Sequence, residues 1–315
     1  MTAKNTKWEA SHMPSLIGKL AVITGANSGI GFVAALELVR HGANVVLAEE
    51  RGKAAEHAIQ QELAQVEGAG HVQFMQLDVS SLASVSAFVA EFKKNHETLD
   101  LLINNAGIMA VPHALTVDGY ESQFATNHLG HFALTAQLFE LLKRSTEARV
   151  VNLASVMHWF ARLKLDAIVT PPENYRAIQV YANSKLCNVL SMKELDRRIR
   201  ASGIKNVISV DCHPGYTNTN LVTAPSTKSN WFMRIWWGIF IRLPLGQRVE
   251  MGALPTLFAA TSDTVQSGEY YGPDGFLALR GHPQLEKTRN DSESPEAAAK
   301  LWEESERLAG LTFQL

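Results

Sequence analysis

The sequence predicts an α/β protein built on a doubly wound parallel sheet, and three observations support that fold class. Short apolar runs of strand length alternate with helical patterns along most of the chain. A glycine-rich turn at residues 24–31 separates the first apolar run from the first helical pattern. Polar side chains stand just after several of the apolar runs, at the edge where such sheets bind their ligands.

The predicted strands are apolar runs bounded by polar or glycine residues. They lie at residues 20–24, 44–48, 72–77, 101–104, 149–154 and 207–211. Helical patterns alternate with them, one through Ala34, Leu38 and Val39 and others at 53–66, 82–94, 120–143 and from 181 to about 200. Strands that are covered on both faces carry apolar side chains on both sides, so this alternation predicts parallel strands between two helical layers.

Composition favours one large globular domain, or one domain with an added lobe. The chain has 315 residues, of which 46% are apolar and 19% charged, and its formal net charge is -2. Without a basic excess or a run of Lys and Arg, no nucleic-acid partner is expected. Cys187 and Cys212 are too few for a disulfide framework, so we expect reduced thiols and a cytoplasmic location.

The N-terminal segment is predicted to be a tail. Residues 1–14 are polar and mixed in charge, without the layout of a signal peptide, so we assign residues 1–17 to the tail and 18–315 to the domain. The most apolar later stretch, residues 231–241, contains Arg234 and is shorter than the roughly 20 residues of a membrane span. Association with a membrane surface stays open.

The turn after the first predicted strand has the composition of a phosphate-binding loop. Its glycines permit a tight turn and let backbone N–H groups approach a pyrophosphate at a helix N-terminus. Because it lies between a strand and a helix, a Rossmann-type dinucleotide site is favoured over an ordinary βα turn. The residues expected to contact the dinucleotide are Thr24, Gly25, Asn27, Ser28, Gly29, Ile30 and Gly31.

Two acidic residues, Glu49 and Glu50, end the second predicted strand, where a ribose-binding carboxylate is expected. Either could accept hydrogen bonds from the adenosine ribose hydroxyls, and both would repel a 2′-phosphate. The pair therefore favours NAD over NADP. Arg51 follows directly and could instead turn toward a phosphate.

The third and fourth predicted strands end in further candidates for cofactor contacts. Asp78 could bond the adenine amino group while Val79 packs on the ring, or Asp78 could cap the helix that begins near Leu82. After the fourth strand, the small residues of an Asn-Asn-Ala-Gly turn would let the backbone lie against the ribose. The candidates in that turn are Asn105, Ala106 and Gly107.

Four side chains form a candidate constellation for proton transfer. Tyr181 and Lys185 are four residues apart, so on a helix they share one face and the ammonium could lower the phenol pKa from its ordinary ~10. Ser155 follows the fifth predicted strand, where its hydroxyl would face the crevice. Asn127 lies within a predicted helix, where its low propensity suggests a local hydrogen-bonding role or a kink.

The sixth predicted strand leads into a Pro-Gly turn. Pro214 and Gly215 would fix the chain where the nicotinamide end of a dinucleotide lies. Thr217 is a further candidate contact, and Thr219 could bond the carboxamide or a phosphate.

In this order, these elements resemble the short-chain dehydrogenases/reductases over most of the chain. The matching motifs are T-G-x-x-x-G-x-G, N-N-A-G, Asn127, Ser155, Y-x-x-x-K at Tyr181 and Lys185, and P-G. The resemblance is closest to the retinol-dehydrogenase-like branch, through residues 126–132, 184–190, 213–215 and 270–275. Members of that branch that use NADP usually carry arginine where this chain has Glu50, which strengthens the prediction of NAD.

The resemblance implies a mechanism and an assembly. Tyr181 would exchange a proton with the substrate oxygen while hydride moves between the substrate carbon and the nicotinamide. Lys185 would lower the tyrosine pKa and hold the nicotinamide ribose, and Ser155 would bond the substrate oxygen. Asn127 would position a water in a proton relay. The family habit also implies a homo-oligomer formed through the long helices.

The substrate side is predicted from an aromatic-rich segment. The resemblance places a helical substrate lid at about residues 221–248, where five aromatic residues favour a bulky apolar alcohol, ketone or aldehyde. These are Trp231, Phe232, Trp236, Trp237 and Phe240. His158 is a candidate for the pocket border. No metal site is expected, because His128 and His131 lack a third ligand at metal-binding spacing.

Two alternatives to a dehydrogenase or reductase stay open. An epimerase, a dehydratase or a C=C reductase could use the same scaffold. A dinucleotide-binding interaction protein without catalysis could also keep the fold, although it would have no chemical reason to keep Asn127, Ser155, Tyr181 and Lys185 together.

Overall fold

Parallel strands form the centre of the molecule. The computed structural model describes residues 7–163, 172–217 and 246–315. In these ranges the strands are β1 Leu20–Thr24, β2 Asn44–Glu49, β3 Val72–Gln76, β4 Leu101–Asn104, β5 Ala148–Leu153, β6 Val207–Cys212, β7 Tyr270–Pro273 and β8 Pro283–Leu285. They form one sheet in the order β3-β2-β1-β4-β5-β6-β7-β8, and among these pairs β7 and β8 alone run antiparallel.

Helices cover both faces of this sheet. They are α1 Gly29–Arg40, α2 Lys53–Leu63, α3 Leu82–Asn95, α4 Gly130–Arg144, α5 Ala177–Ala201, α6 Val249–Thr261 and α7 Pro295–Ala309. One core cluster joins α1, α2 and α6 to one face, and a second joins α3, α4 and α5 to the other. The predicted doubly wound fold is confirmed.

The strands contribute side chains to both cores, because successive side chains of a strand point to opposite faces of the sheet. On β1, Ala21 and Ile23 enter the first core, whereas Val22 enters the second. β1 pairs with β2 on one side and with β4 on the other, so the strand order reverses there. Parallel sheets bind ligands at the carboxyl edge beside such a reversal.

The predicted long helix at 120–143 is wrong as one continuous helix. A short turn at Ser122–Phe124 leads into a π-helical segment, Ala125–Leu129, and the regular helix α4 begins only at Gly130. Asn127, at the centre of the π-helical segment, is fully buried, and its side chain bonds groups outside the helix. Such segments are frequent at functional sites.

The C-terminal helix α7 packs on the outer side of α4 and α5. Trp302 is buried, and its ring lies 4.9 Å from Phe132 and 4.7 Å from Phe313 between ring centroids. The helix is well delimited, with Ser294 capping its N-terminus and Gly310 in the left-handed conformation at its end. It therefore covers part of the surface that the two long helices would otherwise expose.

The N-terminal segment packs against the domain from Trp8 onward. Trp8 meets Phe258 of α6 edge to face, with 5.3 Å between ring centroids. Met13 and Leu16 are buried in the first core. The described part of the predicted tail thus shields apolar surface of that core.

Some predicted features lie outside the described residues. They include Thr219 and nearly all of the predicted lid at 221–248, with its five aromatic residues. Among the helices that are described, none combines the length and apolar character required to cross a bilayer.

Candidate active site

The loops that follow β1 and β4 are tied together through Thr24. Its buried hydroxyl oxygen accepts the backbone N–H groups of Asn105 at 3.0 Å and Ala106 at 2.9 Å. The hydroxyl also lies 2.8 Å from Nε2 of His131, whose pKa burial lowers to about 3. A neutral His131 that donates from Nδ1 to the Asn127 carbonyl leaves Nε2 free to accept the Thr24 proton.

Asn105 and two glycines complete this junction. The Asn105 amide donates to the carbonyl oxygens of Thr24 at 2.7 Å and Gly25 at 2.9 Å. Gly25 has φ +68°, and a Cβ there would lie 2.6 Å from Cα of Ala106. A Cβ on Gly31 would lie 2.3 Å from the Gly25 carbonyl oxygen. Glycine is therefore required at both positions for the loop to close against α1.

A cavity of about 640 Å³ opens at this edge of the sheet. Most of the predicted cofactor residues line it. They are Gly25, Asn27, Ser28, Gly29, Ile30, Gly31, Glu49, Glu50, Asp78, Val79, Asn105, Ala106, Gly107, Tyr181, Lys185 and Pro214. Three other predicted contacts are not part of the lining, namely Thr24, Gly215 and Thr217. Thr24 binds the neighbouring loop, and Thr217 donates a hydrogen bond to the Pro214 carbonyl.

The two glutamates after β2 differ in environment. Glu49 is 4% exposed and its Oε1 has no hydrogen-bond partner, whereas Glu50 is exposed. Burial raises the Glu49 pKa to about 7, and hydrogen bonds from the backbone of Ala26 and Asn27 oppose that rise. Buried polar atoms are normally bonded, so the open Glu49 oxygen suits a hydroxyl ligand in the cavity.

Asp78 does not cap the helix after β3. Ser81 is the N-cap of α3 and accepts the backbone N–H of Ser84 at 3.3 Å. Asp78 instead accepts hydrogen bonds from the backbone and hydroxyl of Ser80, at 2.9 and 2.7 Å. The capping alternative is wrong, and Asp78 lines the cavity beside Val79.

Tyr181 and Lys185 lie together on α5 at the cavity wall, each 5% exposed. The Lys185 Nζ lies 5.8 Å from the centroid of the tyrosine ring. It donates to the Leu153 carbonyl at 2.7 Å, and the Asn188 amide donates to the same oxygen at 3.1 Å. These bonds fix the ammonium at the end of β5.

Burial sets the protonation of this pair. It raises the Tyr181 pKa, and a hydrogen bond with Ser155 opposes that rise. It lowers the Lys185 pKa to about 8, against the attraction of Asp211 and Cys212. The lowering of the Tyr181 pKa by Lys185 stays a prediction, and in this structure desolvation of the buried phenol is the largest effect and shifts that pKa upward.

Asn127 joins the π-helical segment to its neighbours. Its Oδ1 accepts the Ile108 backbone N–H at 2.8 Å, and its Nδ2 donates to the Ile108 carbonyl at 3.0 Å and to Oγ of Ser184 at 2.9 Å. The predicted local hydrogen-bonding role is confirmed. Gly107 lies close by, because a Cβ on it would be 3.1 Å from Asn127 Oδ1 and 3.5 Å from Lys185 Nζ.

Ser155 begins a short helical turn, Val156–Phe160, just beyond β5. Its hydroxyl accepts the Met157 backbone N–H at 3.2 Å and also bonds Tyr181. His158 is buried and its Nδ1 donates to the Ser155 carbonyl at 2.7 Å. Neither Ser155 nor His158 lines the described cavity.

Several lining residues were not predicted from the sequence. Leu115 and Thr116 lie in an irregular segment, Leu153 ends β5, and Ala154 follows it. Their residue types carry no signal for a ligand, so only the folded chain reveals their position.

The histidines have protein partners. His128 Nε2 lies 2.9 Å from Ser305 Oγ, and His131 Nε2 bonds Thr24. Within residues 7–163, 172–217 and 246–315, no three His, Cys, Asp or Glu side chains converge as metal ligands.

Comparison with known proteins yields a family and several relatives. The chain matches the short chain dehydrogenase family over residues 19–230. It is 37% identical to retinol dehydrogenase 13 of Homo sapiens over 305 residues, 93% of this chain and 85% of that protein. It is 36% identical to retinol dehydrogenase 14 of Mus musculus over 324 residues, 98% of this chain and 91% of that protein.

Solved structures share the fold of this chain. An uncharacterized protein from Mycobacterium Paratuberculosis superposes with a TM-score of 0.79 at 36% identity, covering 98% of this chain and 100% of that one. A short-chain type dehydrogenase/reductase from Mycobacterium marinum has a TM-score of 0.63 at 21% identity, covering 83% and 96%. The second comparison bears on the fold alone.

Proposed function

The chain belongs to the short-chain dehydrogenase family, and from that premise we propose which residues carry its activity. It is a nicotinamide-dependent oxidoreductase that acts on alcohol and carbonyl groups. We assign proton transfer to Tyr181, with Lys185 and Ser155 as its partners. The observation that carries this assignment is the burial of Tyr181 and Lys185 side by side in the wall of the cavity that the glycine loop lines.

The residues of the cavity fit a nicotinamide dinucleotide. The backbone of residues 25–31, at the start of α1, would hold the pyrophosphate. The unpartnered oxygen of Glu49 would accept a ribose hydroxyl, and Asp78 with Val79 would border the adenine. Lys185 and Pro214 line the other end of the same cavity, beside the proposed reaction centre.

We propose that NAD is preferred over NADP. Glu49 presents a buried carboxyl oxygen to the cavity, and Glu50 adds a second carboxylate to the same lining. Both would repel a 2′-phosphate and suit a free 2′-hydroxyl. Glu49 supports the preference more strongly, because its open oxygen has no other partner in the described structure.

In the proposed mechanism, the bound nicotinamide supplies or accepts hydride at the substrate carbon. Burial keeps the Tyr181 phenol protonated at neutral pH, so it can donate its proton to a carbonyl oxygen during reduction. Ser155, bonded to that phenol, would hold the same oxygen. In the oxidising direction Tyr181 must first lose its proton, so we expect oxidation to require a higher pH than reduction.

Lys185 and Asn127 have supporting roles in the proposal. Lys185 donates to the Leu153 carbonyl, and an ammonium has three donors, so further donors can serve the nicotinamide ribose. Asn127 clamps Ile108 to Ser184 and so shapes the segment beside Gly107. The water relay assigned to Asn127 from the family stays a prediction.

We propose a bulky apolar alcohol, ketone or aldehyde as substrate. Relatives that span most of this chain include retinol dehydrogenases 13 and 14, and retinol is a long apolar alcohol. The aromatic residues at 231–240 support the same chemistry from the sequence. Retinol with NAD, and retinal with NADH, are therefore the first substrates to test.

The test is a nicotinamide absorbance assay with a panel of apolar alcohols and ketones. We expect stoichiometric conversion of cofactor and substrate, with NAD favoured over NADP. An isomer or a dehydrated product formed without net cofactor conversion would instead identify an epimerase or a dehydratase. Binding of NAD with no turnover across the panel would favour the interaction protein.

The predicted homo-oligomer and the cytoplasmic location stay predictions, as does surface association with a membrane. The position of α7 affects the predicted homo-oligomer, because α7 packs across α4 and α5. An assembly through the covered part of the long helices would have to displace α7, so we expect any such interface to use another surface.

A further inference from the structure

His213, just after β6, has a different partner at each ring nitrogen. The ring is 1% exposed. Its Nδ1 lies 3.2 Å from the backbone nitrogen of Gly215, and its Nε2 lies 2.9 Å from Oε2 of Glu286. Glu286 follows β8, at the far edge of the sheet, and is 73 residues away along the chain.

These contacts select one tautomer of His213. The Gly215 N–H can only donate, so Nδ1 must accept and carries no proton. The proton therefore lies on Nε2, where it is donated to the Glu286 carboxylate. If the proton moved to Nδ1, two N–H donors would face each other at 3.2 Å and the bond to Gly215 would be lost.

The surroundings hold the imidazole ring in place for both bonds. Tyr270 stacks on it, with 5.4 Å between ring centroids and 19° between planes. A Cβ on Gly272 would lie 2.0 Å from Nε2, so only glycine leaves room for the ring to reach Glu286. Burial, stacking and two hydrogen bonds thus act on a single side chain.

Gly215 belongs to the turn that borders the cavity through Pro214. Gly215 has φ +66°, and a Cβ there would lie 2.5 Å from the Leu279 carbonyl oxygen. Gln247 and Thr217 hold the Pro214 carbonyl at 2.6 and 3.0 Å. The His213 bond therefore anchors the N–H of the same peptide group whose carbonyl oxygen Gln247 and Thr217 hold.

We propose that Glu286 is a positioning residue that fixes the tautomer of His213 and thereby anchors the Pro214-Gly215 turn at the reaction centre. The carboxylate touches neither substrate nor cofactor in this account. It acts by accepting the Nε2 proton, which keeps Nδ1 available to Gly215. The catalytic consequence rests on the proposed function, since it takes the turn to border the nicotinamide.

The experiment compares Glu286→Gln, which keeps an acceptor, with Glu286→Met, which has similar length and no oxygen. Gln284→Ala is the matched control, because Gln284 is exposed on β8, two residues before Glu286. The first readout is the side-chain ¹⁵N spectrum of His213, recorded without cofactor and assigned with His213→Gln. The second is the dissociation constant for NAD together with kcat and its primary deuterium isotope effect.

We expect the wild type, Glu286→Gln and the control to carry the His213 proton on Nε2. Glu286→Met should lose that preference, and its kcat should fall about tenfold or more, because a misplacement of about 1 Å can cost as much as 10²-fold. Glu286→Gln should restore most of the rate. A wild-type spectrum with the proton on Nδ1 would overturn the proposal even if Glu286→Met failed to fold.

The proposal is also overturned if Glu286→Met retains both the tautomer and the rate. The spectrum does not depend on catalysis, so it separates this proposal from the proposed function. If Tyr181→Phe kept normal turnover while Glu286→Met lost the tautomer, the assignment of Tyr181 would fail and the role of Glu286 in His213 would stand.

Discussion

Desolvation moves the pKa values of Tyr181 and Lys185 in opposite directions and away from each other. The buried phenol holds its proton more tightly, whereas the buried ammonium releases its proton more easily, with a pKa of about 8. Ser155 opposes the first shift, and Asp211 opposes the second. Because the two pKa values are driven apart, the phenol keeps its proton at neutral pH and is the group suited to donate that proton to a substrate oxygen.

Glu49 gives the proposed cofactor preference a dependence on pH. Its pKa is raised to about 7, so the carboxyl is neutral below that pH and ionised above it. Repulsion of a 2′-phosphate is therefore present above about pH 7 and weakens as the pH falls. We expect the ratio of NADP to NAD dissociation constants to decrease between pH 8 and pH 6.

Titration calorimetry with both cofactors measures this ratio. Glu49→Gln should show a low ratio at both pH values, because its side chain cannot ionise. Glu50→Gln is the control, and it should keep most of the pH dependence of the wild type, since Glu50 is exposed. A ratio in the wild type that does not change with pH would contradict this role of Glu49.

At the residue scale, the sequence identified the candidate side chains but not their partners. Glu49 and Glu50 were equivalent as adjacent acids, and only the folded β2 edge buries one of them. Asp78 was the predicted alternative cap of the helix after β3, but Ser81 occupies that position. The pairing of His213 with Glu286 could not be predicted, because nothing local connects residues 73 apart.

At the element scale, the hydrophobic pattern was sufficient to predict the first six strands of the chain and insufficient to predict β7 and β8. β1 and β4 have the predicted bounds, and the other four differ only at their ends. β7 and β8 were not predicted, because β7 includes Gly272 and Pro273, and β8 has only three partly exposed residues. The π-helical segment depends on the long-range bonds of Asn127, which a helical period does not encode.

The packing of α7 gives a stability prediction. Trp302 is 1% exposed, contacts Phe132 and Phe313, and lies 4.7 Å below the guanidinium of Arg198. Trp302→Ala should therefore reduce the free energy of unfolding by about 3–5 kcal/mol, the usual range for truncating a buried aromatic residue. Urea denaturation monitored by far-UV circular dichroism measures this change.

Trp159→Ala is the matched control, because Trp159 is 45% exposed. Its effect should stay below about 1 kcal/mol, as expected for a partly exposed side chain. If Trp302→Ala reduced the free energy of unfolding as little as the control does, α7 would contribute little to the stability of the fold. That result would also contradict the expectation that α7 blocks an interface through the covered part of α4 and α5.

At the scale of the whole molecule, the site draws on nearly the full length of the chain. The glycine loop follows β1, Tyr181 and Lys185 lie on α5, and Glu286 follows β8. The parallel order of the inner strands brings the first two groups to one edge, which is why their convergence could be predicted from the sequence. The contribution of β8 requires the antiparallel pairing with β7, which the sequence did not reveal.

The central claim is that Tyr181 exchanges the proton in a nicotinamide-dependent oxidoreduction. Its most direct test is the turnover of Tyr181→Phe, measured with NAD and the best alcohol of the panel, beside the NAD dissociation constant of the same variant. We predict that kcat falls by about 10²- to 10⁴-fold, the usual contribution of a positioned acid or base, while NAD binding changes little. Near-normal turnover with NAD still bound would contradict the claim.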